Sequence, residues 1–121
     1  MAHNDTDTLP ELPEFGFYYH YKHDPAGEVN NYAYEVIGVG YHTESDCEMR
    51  DLYMVQYLPL YDSFVYRLGK GKLNDARPLD MFMAKVTRDE GEISRFTKIT
   101  DEAVIAQLRE IRNRMYPHRA G

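Results

Sequence analysis

Tryptophan is missing from this 121-residue chain, cysteine occurs once, at Cys47, and no stretch approaches the ~18 to 20 consecutive apolar residues that cross a bilayer. A lone cysteine rules out an internal disulfide framework and points to a reducing compartment. Residues 1–14 carry Asp5, Asp7, Glu11 and Glu14 but neither Lys nor Arg, and they lack the basic and apolar regions of a secretory signal. The expectation is a cytoplasmic protein with no membrane contact. Serine is scarce too. Ser45, Ser63 and Ser94 sit in neither a Gly-x-Ser-x-Gly elbow nor a Ser-x-x-Lys motif, which argues against serine catalysis. Cys47 lies between Asp46 and Glu48, whose carboxylates disfavour a reactive thiolate. Gly69-Lys70-Gly71-Lys72 lacks the spacing and the following helix of a phosphate loop. Strands and helices do not alternate as a dinucleotide fold requires, so no cofactor is implied.

Eleven tyrosines and five phenylalanines dominate what is present. A tyrosine ring buries a large area while its hydroxyl seeks water or a partner, so Tyr-rich segments suit thin β structures whose interior lies close to solvent. At 14.2 kDa the chain fits one domain. The net charge of −6 disfavours nucleic acid and anionic membranes as partners. Arg109, Arg112, Arg114 and Arg119 nevertheless leave a local basic patch near the C-terminus.

Periodicity divides the chain into an acidic, flexible N-terminal arm over 1–13, a β domain over 14–99 and a helix over 100–116. From Phe15 to Lys22, bulky residues alternate at period two, the mark of a strand. His23 to Asn31 is a loop rich in turn formers. Tyr32 to His42 and Leu52 to Tyr61 are further strands joined by a polar hairpin connection, with Gly38 and Gly40 placed for a bulge. Ser63 to Leu68 reads as a short strand, and Arg77-Pro78 ends a Lys-bearing loop. Met81 to Val86 and Ile93 to Ile99 flank an Asp89-Glu90-Gly91 turn. Five or six short strands with tight turns predict a mainly β protein, a small barrel. Thr100 is the expected N-cap of the last element, with Asp101 and Glu102 in its first turn. Val104, Leu108, Ile111 and Met115 form its buried stripe, and Ile105, Arg109, Arg112 and Tyr116 an adjoining flank.

Six fragments in one order carry a family resemblance: Tyr18-Tyr19-His20-Tyr21-Lys22, Tyr34-Glu35-Val36-Ile37-Gly38-Val39, His42-Thr43-Glu44, Tyr57 with Leu60-Tyr61, Arg77-Pro78-Leu79-Asp80-Met81-Phe82, and Arg95-Phe96. Over roughly residues 17–99 the chain resembles a bacterial family, the domain of unknown function numbered 1653. The resemblance implies an SH3-like β roll and no particular activity. The loop from His23 to Ala33 is longer than the family pattern, and residues 62–76 replace a segment that usually carries a tryptophan. The C-terminal helix lies outside the resemblance.

His20, Lys22, His42, Glu44, Arg77 and Arg95 are polar residues at motif-matching positions beside aromatics. They are expected to line a groove walled by Tyr34, Tyr57 and Tyr61 that binds a protein, a peptide or a small anionic ligand. Most histidines at strand edges simply bond backbone or water, so the same residues also fit a structural role. An alternative is a metal-assisted enzyme using His20, His42 and Glu44, although His20 and His23 lack helical metal-ligand spacing. Another is a nucleic-acid-associated adaptor, with Arg109, Arg112 and Tyr116 as a partner-binding flank.

Overall fold

Alternating bulky side chains build a meander of four antiparallel strands: β1 (Gly16–His20), β2 (Ala33–Tyr41), β3 (Tyr53–Pro59) and β4 (Asp75–Pro78). The computed structural model describes residues 9–44, 46–89 and 91–119. The expected flexible arm therefore falls largely outside the described residues, as do Ser45 and Glu90. Residues 9–13 are described and are not free of the fold, for Pro13 is buried. After β4 come a helical turn, α2 (Leu79–Phe82), and a separate hairpin of β5 (Lys85–Arg88) and β6 (Gly91–Ser94). The last strand, β7 (Phe96–Lys98), returns beside β1. The five-stranded sheet runs β4-β3-β2-β1-β7, so β4 and β7 are its edges.

Among the described residues seven strands replace the expected five or six, and the five-stranded sheet is open rather than a closed barrel. The edges meet through side chains instead of backbone. Tyr57 from β3 and Phe96 from β7 approach to 5.6 Å between ring centroids, and the Arg77 guanidinium of β4 lies 5.8 Å from the Phe96 ring. The register of β2 against β3 shifts between Val36 and Gly38, a bulge beside one of the anticipated glycines that bends the strand.

Period two places one apolar set on each face. On the inner face Tyr18, Tyr34, Val36, Val55 and Tyr57 pack with Leu79, Phe82 and Phe96. On the outer face Phe17, Ala33, Leu58 and Leu60 receive Leu108 and Tyr116 from the C-terminal region. The helix there, α3 (Glu102–Met115), starts one residue later than the sequence pattern predicted. Asp101 is its N-cap, and its carboxylate accepts from the Ala103 and Val104 N–H groups at 2.9 and 3.3 Å.

A second correction concerns Ser63 to Leu68, which is helix and not strand: α1 (Phe64–Gly69). The Ser63 hydroxyl accepts the Tyr66 N–H at 3.1 Å, and Lys70 closes the turn in the left-handed region at φ 54°. That Ser cap and the Phe64/Leu68 spacing are helical signals that a short apolar run obscures. No helix among the described residues is long and apolar enough to cross a membrane.

Candidate functional site

Antiparallel order brings the end of β1, the start of β2, the end of β3 and the starts of β4 and β7 to one end of the five-stranded sheet. His20, Tyr32, Tyr34, Tyr61, Asp75, Arg95 and Phe96 converge there for that reason. Their rings form a continuous network. His20 meets Phe96 edge-on at 5.1 Å and lies nearly parallel to Tyr32 at 5.7 Å, while Tyr61 touches both Tyr32 and Tyr34 at 5.8 and 5.6 Å. The Tyr34 and Tyr61 hydroxyls hydrogen-bond each other. Arg77 donates from Nε to the Tyr57 hydroxyl at 3.1 Å, so a guanidinium is fixed at the rim of this aromatic floor.

Tyr32 is the residue that sequence reasoning missed. Its φ of 52° puts a bulky side chain in the left-handed region, a conformation that few aromatic residues adopt. Neighbouring hydrogen bonds hold it there. The Tyr32 carbonyl accepts the His20 N–H at 3.0 Å, and Asn31 just before it accepts from Asp24 N–H and donates to the Asp24 carbonyl. Its ring remains 38% exposed, bordering with Tyr61, Glu28 and Asn30 a shallow recess of about 300 Å³. Asn30-Asn31, a strong turn dipeptide, is the available signal for an unusual backbone. Asp75 and Phe96 were also missed as site residues: Phe96 stood in the Arg95-Phe96 fragment, but neither is brought to this end until the strands are registered.

The electrostatics follow from burial and from three cations. Burial lowers the His20 pKa to about 4, aided by the charges of Arg77, Lys22 and Arg95. The Lys22 N–H donates to His20 Nδ1 at 3.2 Å, so the neutral ring carries its proton on Nε2. Burial pushes the Tyr34 phenol far above its ordinary range, reinforced by the bond to Tyr61, and raises Tyr57 and Tyr61 as well. Burial also raises Asp75 against the pull of Arg77. This end of the sheet therefore presents hydrogen-bonding rings that are neutral at pH 7 beside the cations Arg77, Lys22 and Arg95, with the carboxyl of Asp75 in the field of Arg77.

Of the expected groove residues, His20, Tyr34, Tyr57, Tyr61, Arg77 and Arg95 come together, with Lys22 exposed in the turn after β1. His42 and Glu44 do not join them. They follow the far end of β2, where Tyr41 pairs with Tyr53, and they border a different recess with Cys47 and Leu52. The Glu44 N–H donates to His42 Nδ1 at 3.1 Å, the same local arrangement seen at His20. The trio His20, His42 and Glu44 is thus divided between opposite ends, and among the described residues no three His, Cys, Asp or Glu side chains gather to hold a metal.

The anticipated flank on α3 is likewise taken apart. Tyr116 is wholly buried and donates its hydroxyl to the Pro59 carbonyl at 2.5 Å. Arg112 donates from one Nη to both carboxylate oxygens of Glu35 at 2.9 Å, pairing the helix to β2. Burial raises the Glu35 carboxyl, with Arg112 and Arg109 opposing. Only Arg109 of the three stays exposed. Helix docking explains the change, since α3 buries a wider face than its main apolar stripe.

Two antiparallel sheets with a C-terminal helix, and an aromatic and cationic end on the larger sheet, define this protein's class structurally. The family described as "Protein of unknown function (DUF1653)" matches residues 16–98, and the chain belongs to that family. No curated protein and no solved structure matches the chain.

Proposed function

We propose that this protein is a noncatalytic binding module whose ligand, a peptide or small molecule, presents a carboxylate or phosphate group to Arg77 and Arg95. One observation carries the reading. Arg77 and Arg95 are half-buried, yet among the described residues neither has a carboxylate within ion-pairing distance, and Arg95 Nε is buried with no hydrogen-bond partner. Partly desolvated guanidiniums are normally neutralised, and their planar donor fork matches carboxylate and phosphate oxygens. Tyr32, Tyr61 and neutral His20 supply the adjoining wall. The strand order, with the last strand returning beside the first, supports the SH3-like architecture that the family resemblance implies. The single cysteine supports a cytoplasmic location.

The test is a nitrogen-15 NMR titration of the full chain with inorganic phosphate and with citrate. Saturable shifts are expected at the Arg77 and Arg95 Nε–H signals and at the His20 and Lys22 amides. A folded Arg77→Ala/Arg95→Ala double variant should lose them. Shifts that persist in that variant, or that concentrate on Arg109, Arg114 and Arg119, would overturn the proposal.

A further inference from the structure

A second groove, over α2, already has an occupant. Ahead of β1, Pro10 is half-buried and Pro13 buried, whereas Glu11, Leu12 and Glu14 face solvent, an inward period of three. Pro10 borders one recess with Leu52, Tyr53 and Leu79, and Pro13 borders the next with Tyr18, Phe82 and Phe96. A chain with about three residues per turn places prolines three apart on one side, and the locked proline φ lowers the entropy lost on docking.

The attachment is side-chain attachment. Among the described residues no backbone hydrogen bond reaches residues 9–13. The anchors next to them are the Tyr18 hydroxyl, donating to the Glu14 carbonyl at 2.8 Å, and Lys98 Nζ, 3.8 Å from the Glu14 carboxylate. Segments held without a backbone ladder open at low free energy.

We infer that this groove is a docking site for an acidic Pro-x-x-Pro-Glu segment of a partner protein, and that the chain's own residues 10–14 hold it until displaced. The occupant in place defines the chemistry: two prolines on the inward side of the segment, beside Leu52, Tyr53 and Leu79 and beside Tyr18, Phe82 and Phe96, and a following carboxylate 3.8 Å from Lys98 Nζ. The inference is independent of the anion site at Arg77 and Arg95. Because the internal segment is tethered, its effective concentration is about millimolar, and an added peptide competes poorly against it.

The experiment uses the full chain and a fluorescein-labelled peptide with the sequence of Leu9–Phe15, followed by fluorescence anisotropy. Pro13→Asp, which unseats the internal segment, should raise peptide affinity at least about tenfold over the unsubstituted protein. A control peptide with both prolines replaced by alanine should not bind. If circular dichroism shows that Pro13→Asp is unfolded, Pro10→Asp at the outer, half-buried anchor is read by the same criteria. A folded variant that binds neither peptide, or binds both alike, overturns the inference. So does a concentration-dependent dimer that Pro13→Asp abolishes, since the groove's partner would then be a second copy.

Discussion

The guanidinium of Arg77, on one edge strand of the sheet, lies 5.8 Å from the ring centroid of Phe96, on the other edge strand. The same Arg77 donates to the Tyr57 hydroxyl, so one side chain ties together three strands that no single ladder joins. Arg77→Ala should lower stability by about 1–2 kcal/mol, the sum of a cation–π contact and a charge-assisted hydrogen bond. Arg77→Lys should recover only part, because an ammonium lacks the planar fork. Urea unfolding of the three proteins measures the order; equal stabilities for the Ala and unsubstituted forms would remove Arg77 as a structural clasp.

Tyr32 separates stability from binding. Its left-handed backbone stores about 1 kcal/mol or more that a glycine or asparagine there would not. Tyr32→Asn should therefore leave the melting temperature unchanged or raised, while weakening the phosphate and citrate shifts at Arg77 and Arg95. A lower melting temperature with unaltered titration would mean that the ring serves packing alone.

His20 should make the fold acid-sensitive above the carboxylate range. Its pKa is about 4 in the fold and near 6.5 in the unfolded chain, so between those values the unfolded state takes up a proton that the folded state refuses. Stability from this residue is present above pH 6.5 and is lost as pH falls toward 4. The NMR titration of the His20 ring should show a midpoint near 4, and His20→Gln should flatten the stability profile across that window. A ring midpoint near 6.5 would contradict the burial and charge environment described above.

Arg112 and Glu35 form a pair with side chains 20% and 15% exposed. Arg112→Ala strands a largely buried carboxylate and should destabilise the protein by about 2–3 kcal/mol, somewhat under the loss expected for a fully buried pair. The deficit should shrink as pH falls, because Glu35, already raised by burial, rises further without its partner and is tolerated once protonated. Replacing both residues by leucine should recover most of the loss. Chemical denaturation at pH 7 and pH 5 checks each point.

Much of this was legible along the chain. Alternation across Phe15–Tyr61 announced three strands of the meander, and the cap and apolar spacing announced α3, because period two, period 3.6 and capping are properties of neighbouring residues. The short helix at Phe64–Gly69 was not legible, since six apolar-rich residues satisfy either period. Most of the aromatic and cationic end was visible as motif residues, but Tyr32 was not, because its role comes from a backbone conformation and from a ring placed against His20 of β1 and Tyr61 just after β3.

By itself the sequence determined a mainly β domain with one terminal helix and an interior rich in tyrosine. Tertiary structure alone decided that His20 and His42 stand at opposite ends of the sheet, that Arg112 and Tyr116 face inward, and that the two sheet edges meet through the side chains of Arg77 and Phe96. The reason is physical: strand register and helix docking are set by contacts between residues far apart in the chain, and no local period encodes which strand ends meet.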